Sequence, residues 1–459
     1  MRARPTSWLT PARLLALSFL GLIAFGTAGL LVLPGLYTGP RLSVLDALFT
    51  ATSAVCVTGL IVVDTATFFT PWGQAFLLLL IQLGGLGMLT FATLIVLSIG
   101  RRLTLQQEAV AASARDVAPH LDIRHLTRTV VLFTFLVEAA GALLLFLAWV
   151  TRMPPLAALG HAVFHAISAF CNAGFSTFSD SLVGFRTAPI TLILVMALIV
   201  VGGIGFITVE EVGLWTRARR ARRPFRLSLH SQVVLVVTAF LLVAGWALFA
   251  VSEWTGTLAG LPLVDRSLNA LFMSVTARTA GFNTIDHAFA DTGTNFLTIV
   301  LMAIGGSPGS TAGGLKTTTF AVIGLLAWSR LVGLRTCTVA GRSIPEETVE
   351  RAVGLFVFVF GVVTAAILLL GFTEPSMGAG AGAGRGGPFL AYMFEAVSAF
   401  NTVGLSMGVT DDLSPAGRVI AIVLMYVGRV GPLTFGAAIA LRPTMSRNFR
   451  YAYENVGLG

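Results

Sequence analysis

Four glycines, Gly59, Gly174, Gly281 and Gly404, each close a short stretch that reads alike: DALFTATSAVCVTGL at 46–60, HAVFHAISAFCNAGF at 161–175, NALFMSVTARTAGF at 269–282 and YMFEAVSAFNTVGL at 392–405. They lie 115, 107 and 123 residues apart. Phe49, Phe164 and Phe394 precede their glycines by ten residues and Phe272 precedes Gly281 by nine, so the third stretch is one residue short. Pointing successive carbonyl oxygens at one axis requires backbone conformations that a Cβ opposes and glycine reaches. The carbonyls of Val57, Thr58 and Gly59, of Asn172, Ala173 and Gly174, of Thr279, Ala280 and Gly281, and of Thr402, Val403 and Gly404 would form a four-part ring. Rings of that kind replace the hydration shell of K⁺. One such tripeptide carries no weight. Four in register between apolar segments are a repeated unit, the first thing to look for in a chain of this length.

A second landmark tracks the first. Gly84-Gly85, Gly202-Gly203, Gly305-Gly306 and Gly428-Arg429 begin 25, 28, 24 and 24 residues after the four glycines. A lone pair of this kind packs or hinges a helix; four at nearly fixed offset belong to the repeat. In the third copy the apolar segment breaks over Gly305, Gly306, Ser307, Pro308, Gly309, Ser310, Thr311, Ala312, Gly313 and Gly314. The alternative is a kink whose backbone groups neighbouring helices satisfy. Arg429 stands alone in the middle of an apolar run, where a charge is costly and normally functional. It is expected near the break, bonding its carbonyls and repelling cations. Lys316 at the end of the break either adds to that barrier or snorkels inward.

The elements that position these residues follow from composition. Of 459 residues 56% are hydrophobic and only 11% charged, with a mean hydropathy of +0.87, whereas soluble domains carry about a quarter charged residues. Runs such as 14–33, 233–251 and 353–372 approach the ~20 apolar residues that span a bilayer. Basic residues, all Arg but one, cluster at 101–128, at 217–226 with six Arg, at 330–351 and near both ends. By the positive-inside rule these loops and both termini are cytoplasmic; a nucleic-acid patch is the weaker reading. The intervening outer segments hold more acids than bases, which focuses cations. Each repeat therefore enters and leaves on one side, and its short glycine-ended helix must dip in and return. Non-helical backbone at membrane depth is tolerated only in protein or beside water, so four such loops converge. The fold expected is an all-α integral membrane protein: four M1–pore loop–M2 repeats, with eight transmembrane helices and four re-entrant pore helices around one central pore. The repeats fall at 1–100, 101–220, 221–340 with the broken helix, and 341–459 with a short cytoplasmic C-terminus.

Other conspicuous residues read as structural. His161 and His165 pack or hydrogen-bond at the outer surface, and Cys56, Cys171 and Cys337 show no disulfide or zinc spacing. Arg278 reads as a tether behind the third ring segment. Glu210 and Glu211 pair with the Arg cluster that follows them, and the GAGAGAGRGG run at 378–387 is a flexible outer loop. Glu138 is the one acid deep in an apolar helix. It has no nucleophile–base partner and there is no nucleotide motif, so the chain does not read as an enzyme.

The motifs VTGL at 57–60, NAGF at 172–175, TAGF at 279–282, TVGL at 402–405, GGSPGSTAGGLKTTT at 305–319 and GRVGPLT at 428–434 resemble the superfamily of K⁺ transporters that contains TrkH, KtrB and plant HKT proteins. Coverage runs from Leu14 to about Leu441, and a single apolar helix before Phe49 makes the chain more similar to KtrB than to TrkH. The resemblance implies a K⁺ uptake subunit in the bacterial cytoplasmic membrane, with the four tripeptides as selectivity filter. It makes Gly305 to Gly314, with Lys316 and Arg429, an intramembrane gate. It also implies a homodimer docked on a cytosolic, KtrA-like ring of RCK subunits that carries the regulating nucleotide. The resemblance also leaves room for sodium stimulation and symport. Gly59 favours K⁺, since members of reduced selectivity often place Ser at the first filter position.

Overall fold

Helix dominates the computed structural model of the chain, which describes residues 11–100, 123–334, 336–339, 341–374 and 387–440. The expected flexible outer loop and the expected cytoplasmic ends therefore lie largely outside the described residues. One succession recurs four times: a long helix, a short buried helix, a turn through the glycine, and a second helix. The first unit is Pro11–Val32, Val44–Cys56 and Pro71–Gly100. The second is Ile123–Trp149, Pro155–Cys171, and the pair Pro189–Ile204 and Phe206–Arg220. The third is Leu229–Glu253, Leu263–Thr276, and the pair Thr292–Ala303 and Thr317–Leu331. The fourth is Glu346–Thr373, Gly387–Phe400 and Pro415–Ala440. A two-stranded hairpin with Thr338 opposite Ser343 joins the last two units.

The first helices differ from the second. Among the described residues Arg13–Val32, Arg128–Trp149, Leu229–Glu253 and Glu346–Thr373 are each long and apolar enough to cross a membrane, and each is the first helix of its unit. A fifth span is counted if the second unit's bent pair is taken as one. The sequence points to one broken second helix, yet two are broken. Besides the gap between Ala303 and Thr317, the second unit's helix turns by 102° between Ile204 and Phe206. Gly205 at that corner has φ of 91°, a left-handed value open to glycine.

The short helices form for local reasons and then disappear into the core. Ser43 caps the first, its Oγ accepting from Asp46 N at 3.1 Å, and Pro155 opens the second from the N1 position. The last turn of each is buried on every face, so each helix is surrounded by others there. Phe49, Phe164, Phe272 and Phe394 are all buried, and burial of one such side chain stabilises by about 1.5–3 kcal/mol.

Packing closes these units into a cycle. The second helix of the first unit packs on the short helix of the second, and Pro189–Ile204 packs on Leu263–Thr276. Thr292–Ala303 packs on Gly387–Phe400, and Pro415–Ala440 returns to Val44–Cys56. The four glycine turns are thereby brought to one centre.

Candidate ion-coordination site

Each short helix is followed within three residues by one of left-handed conformation. In the first, Thr58 N donates to Ser53 O at 2.8 Å and Val57 N to Ala54 O at 3.1 Å, the paired closure of a Schellman turn. The second and fourth repeat it, with Ala173 N to Ser168 O at 2.7 Å and Val403 N to Ser398 O at 2.9 Å. The third, one residue shorter, closes differently, through Ala280 N to Thr276 O at 3.0 Å. Even so, Thr279 reaches the same backbone region as its counterparts. The φ values are 58° at Val57, 59° at Asn172, 71° at Thr279 and 50° at Thr402. Three of these four are β-branched, for which positive φ is a genuine outlier. Conformations of this sort cost roughly 1–3 kcal/mol each and persist where surrounding structure imposes them, typically at functional sites.

The glycines two residues on also have positive φ, 93° at Gly59, 70° at Gly174, 80° at Gly281 and 90° at Gly404. They face one another around a closed circle. A Cβ built on Gly59 would collide with the Ala173 carbonyl oxygen and stand 3.1 Å from the Gly174 Cα. One on Gly174 would lie 2.9 Å from Ala280 O and 2.8 Å from the Gly281 Cα. One on Gly281 would strike Val403 O and lie 3.3 Å from the Gly404 Cα, and one on Gly404 would strike Thr58 O, 3.0 Å from the Gly59 Cα. All twelve tripeptide residues predicted from sequence therefore meet at one place, and the side of each glycine where a Cβ would stand is filled by its neighbour's backbone.

A hydroxyl under each turn braces this ring, a feature sequence reasoning missed. Ser53 Oγ accepts from Gly59 N and Ser398 Oγ from Gly404 N, both at 3.1 Å. Ser168 Oγ donates to Phe175 O at 2.7 Å, Thr276 Oγ1 to Phe282 O at 2.5 Å and Ser398 Oγ to Leu405 O at 2.6 Å. The signal was present: a Ser six residues before the glycine in three copies and a Thr five before it in the short one.

The paired glycines of the second helices carry out the bland role allowed to them. A side chain on Gly84, Gly202 or Gly428 would strike the carbonyl of Val55, Phe170 or Phe400, each two residues before the left-handed position. These glycines let the second helix lie against the end of a short helix. Gly305 departs from the pattern and faces Gly313 O and Leu315 O of its own broken segment.

That segment fills the space between three units. Ser307 N donates to Gly203 O at 3.0 Å, Thr311 N to Gly202 O at 3.3 Å, and Thr311 Oγ1 to Phe170 O at 3.1 Å. In return Phe206 N donates to Gly309 O at 3.0 Å, across the corner of the bent helix. Toward the fourth unit, Leu315 N donates to Asn401 Oδ1 at 3.3 Å and Gly314 N to Gly428 O at 3.4 Å. Gly313 sits so close to Thr402 that a Cβ would meet its Oγ1. Thr402 opens the fourth ring segment, so the loop lies directly against the ring. Pro308 lies within the loop, where its carbonyl is the nearest atom to a Cβ built on Gly205. Ser310 Oγ donates to Ser307 O at 2.6 Å and accepts from Ala312 N at 3.3 Å, and Gly306 O accepts from Thr317 N, at the start of the next helix, at 3.1 Å.

Two cations reach into the loop. Arg429 Nη1 donates to Thr311 O and Lys316 Nζ to Ala312 O, both at 2.5 Å. Arg429 is 1% exposed, and its Nε and Nη2 have no partner among the described residues. Lys316 is 7% exposed and turns back onto the loop, where snorkelling inward was the alternative. Arg278 is buried beside a small cavity and makes no ion pair among the described residues. Remaining expectations sort simply. His165 is buried, its Nε2 2.9 Å from Ser176 Oγ, and both His161 and His165 stack on Phe178. Glu211 accepts from Ser228 N and Oγ at 3.1 and 2.8 Å, capping the next helix, in place of the expected pairing with the Arg cluster. Glu138 accepts from Gln82 Nε2 at 3.0 Å, and no group of three or more His, Cys, Asp or Glu suited to a metal ion occurs among the described residues.

Known proteins share both sequence and fold with this chain. The TrkH family, described as cation transport protein, matches residues 18–447. The Ktr system potassium uptake protein B of Vibrio alginolyticus is 38% identical over 431 residues, covering 93% of this chain and 91% of that protein. The potassium/sodium uptake protein NtpJ of Enterococcus hirae is 36% identical over 462 residues, covering 100% and 99%. The crystal structure of the potassium transporter TrkH from Vibrio parahaemolyticus superposes with a TM-score of 0.72 at 21% identity, over 97% of this chain and 88% of that one. Its relatives are transporters and not enzymes, and the chain belongs to the TrkH family of cation transport proteins.

Proposed function

We propose that the chain is the pore-forming, multi-pass membrane subunit of a bacterial K⁺ uptake system. Four re-entrant helices present the carbonyls of residues 57–59, 172–174, 279–281 and 402–404 to one ion path, and eight helices, two of them broken, enclose it. The observation that carries this reading is the closed circle of Gly59, Gly174, Gly281 and Gly404. A K⁺ that sheds water there meets carbonyl oxygens from four sides. Backbone dipoles at the C-terminal ends of the short helices add a favourable partial negative charge. The names of the Vibrio and Enterococcus relatives support potassium as the cargo, and the latter supports sodium as a second ion to test.

The loop from Gly305 to Gly314, with Arg429 and Lys316, is the gate of this reading. It lies against the ring, is joined to units on both sides, and carries two buried cations on its carbonyls. The resemblance to KtrB supports a homodimer with both termini cytoplasmic, docked on a cytosolic nucleotide-binding RCK ring. With no nucleotide motif in the chain, nucleotide control then acts through the partner.

Growth rescue of a K⁺-uptake-deficient bacterium, with the ring partner supplied, tests the reading. The wild-type chain restores growth and Rb⁺ uptake at low K⁺. Gly59→Ser, whose Cβ meets Ala173 O, loses most of that uptake or admits Na⁺. Absence of K⁺ and Rb⁺ entry with the wild type rejects the proposal.

A further inference from the structure

Arg278 is a buried charge for which the filter and gate give no account. It precedes Thr279, is 8% exposed, and its Nε has no hydrogen-bond partner among the described residues. It lines a cavity of about 20 Å³, room for one water molecule. The same cavity is lined by Gly203 and Ile204 at the end of the bent helix, by Gly306 of the loop, and by Thr238, whose Oγ1 is also unpartnered. None of its lining residues is acidic among the described residues.

The carbonyls at that helix end are occupied by the loop. Gly203 O accepts from Ser307 N, and Gly202 O from Thr311 N and Thr311 Oγ1. A helix C-terminus carries partial negative charge and favours a cation. If the loop withdraws to let ions pass, the Gly202 and Gly203 carbonyls lose these donors where burial makes an unpaired group costly. Among the described residues Arg278 is the one charged group lining the cavity at this helix end, and the cavity gives its guanidinium, or a water bound to it, room to move onto those oxygens.

We propose that Arg278 is a positioning residue that stabilises the conducting state by capping the bent helix of the second unit after the loop leaves. Its effect opposes that of Arg429, which holds Thr311 of the loop in place. The inference rests on the gate reading above. It makes the pair of arginines a balance: one binds the loop closed, the other replaces it when open.

Rb⁺ flux in proteoliposomes of the full chain with its ring partner tests this. Arg278→Gln lowers flux about 5–10-fold with the K⁺/Na⁺ ratio unchanged, Arg278→Lys recovers most of it, and Arg278→Gln with Arg429→Ala falls below Arg429→Ala alone. Arg278→Met, apolar and of similar length, replaces the Gln variant if that one does not fold. The inference is overturned if the neutral variant conducts as well as wild type. It is equally overturned if the K⁺/Na⁺ ratio shifts, which places Arg278 in filter support, or if Lys restores nothing. Should Arg429→Ala itself leave flux unchanged, the gate reading fails and this inference with it; a raised Arg429→Ala flux with an indifferent Arg278→Gln removes the inference alone.

Discussion

The glycine ring and the loop beside it use the same materials, glycine, hydroxyls and backbone carbonyls, in opposite ways. The ring is built four times over: the same left-handed residue, the same glycine two positions later, and a neighbour's backbone against each. The loop exists once, and three units hold it by different bonds. Coordinating a bare cation needs equal dipoles from every side, so any departure in one copy degrades the whole. Opening and closing needs one piece that can leave while the rest stays. On the proposed reading, symmetry serves the first task and its breaking serves the second.

The sharpest way to break the ring is to give one glycine a side chain. Gly281 is the best choice, because its Cβ would strike Val403 O and crowd the Gly174 Cα at 2.9 Å as well as Gly404. Overpacking costs typically 1–3 kcal/mol, and left-handed backbone with a Cβ roughly 1–2 kcal/mol more. Gly281→Ala should therefore lower Rb⁺ uptake by about 100-fold or more, each 1.4 kcal/mol being tenfold. Uptake within a few-fold of wild type would show that the ring tolerates asymmetry and would dissolve the contrast.

The loop should answer with the opposite sign. A unit charge ~10 Å from an ion costs it about 1.7 kcal/mol at an effective dielectric of 20. Arg429→Ala removes such a charge together with the bond to Thr311 O. Flux in proteoliposomes is expected to rise roughly ten-fold, with the K⁺/Na⁺ ratio kept because the ring is untouched. A fall in flux would mean that Arg429 supports the conducting structure instead of closing it.

How much of this was readable in the residues follows the same division. The ring was legible because repetition is its mechanism: Gly59, Gly174, Gly281 and Gly404 announce themselves by register, and the shortened third copy was visible as Phe272 standing one residue nearer its glycine. Its hydroxyl braces were equally periodic but hidden among many small residues, where Ser and Ala look alike as packing. Arg429 beside the loop was legible because a charge in an apolar run is rare. The bend at Gly205 was not, since Gly205 is one of three glycines in GGIG, a spacing that packs straight helices as readily as it breaks them. What decides is Gly309 O taking the N–H of Phe206, a partner 103 residues away that no local pattern reveals. Hence a loop expected to engage the third and fourth repeats bonds to the second as well.

The mildest test asks whether the braces make the ring or merely trim it. Among the described residues Ser398 is the one hydroxyl that both accepts from its glycine's N–H and donates past it, to Leu405 O. Ser398→Ala removes two bonds worth about 1 kcal/mol each and leaves the Schellman closure intact, since Val403 N reaches the Ser398 carbonyl and not its side chain. The expected result is a protein that still conducts, with the K⁺/Na⁺ ratio reduced about 5–20-fold. Thr276→Val should do less, because it loses only the bond to Phe282 O. Competition of Na⁺ with Rb⁺ uptake measures both. If the two variants match wild type, the left-handed turns and the mutual contact of the four glycines hold the carbonyls by themselves. If Thr276→Val proves the more damaging, the third and shortest segment is the weak arc of the ring, and the fourfold description gives way to three firm segments and one that depends on its brace.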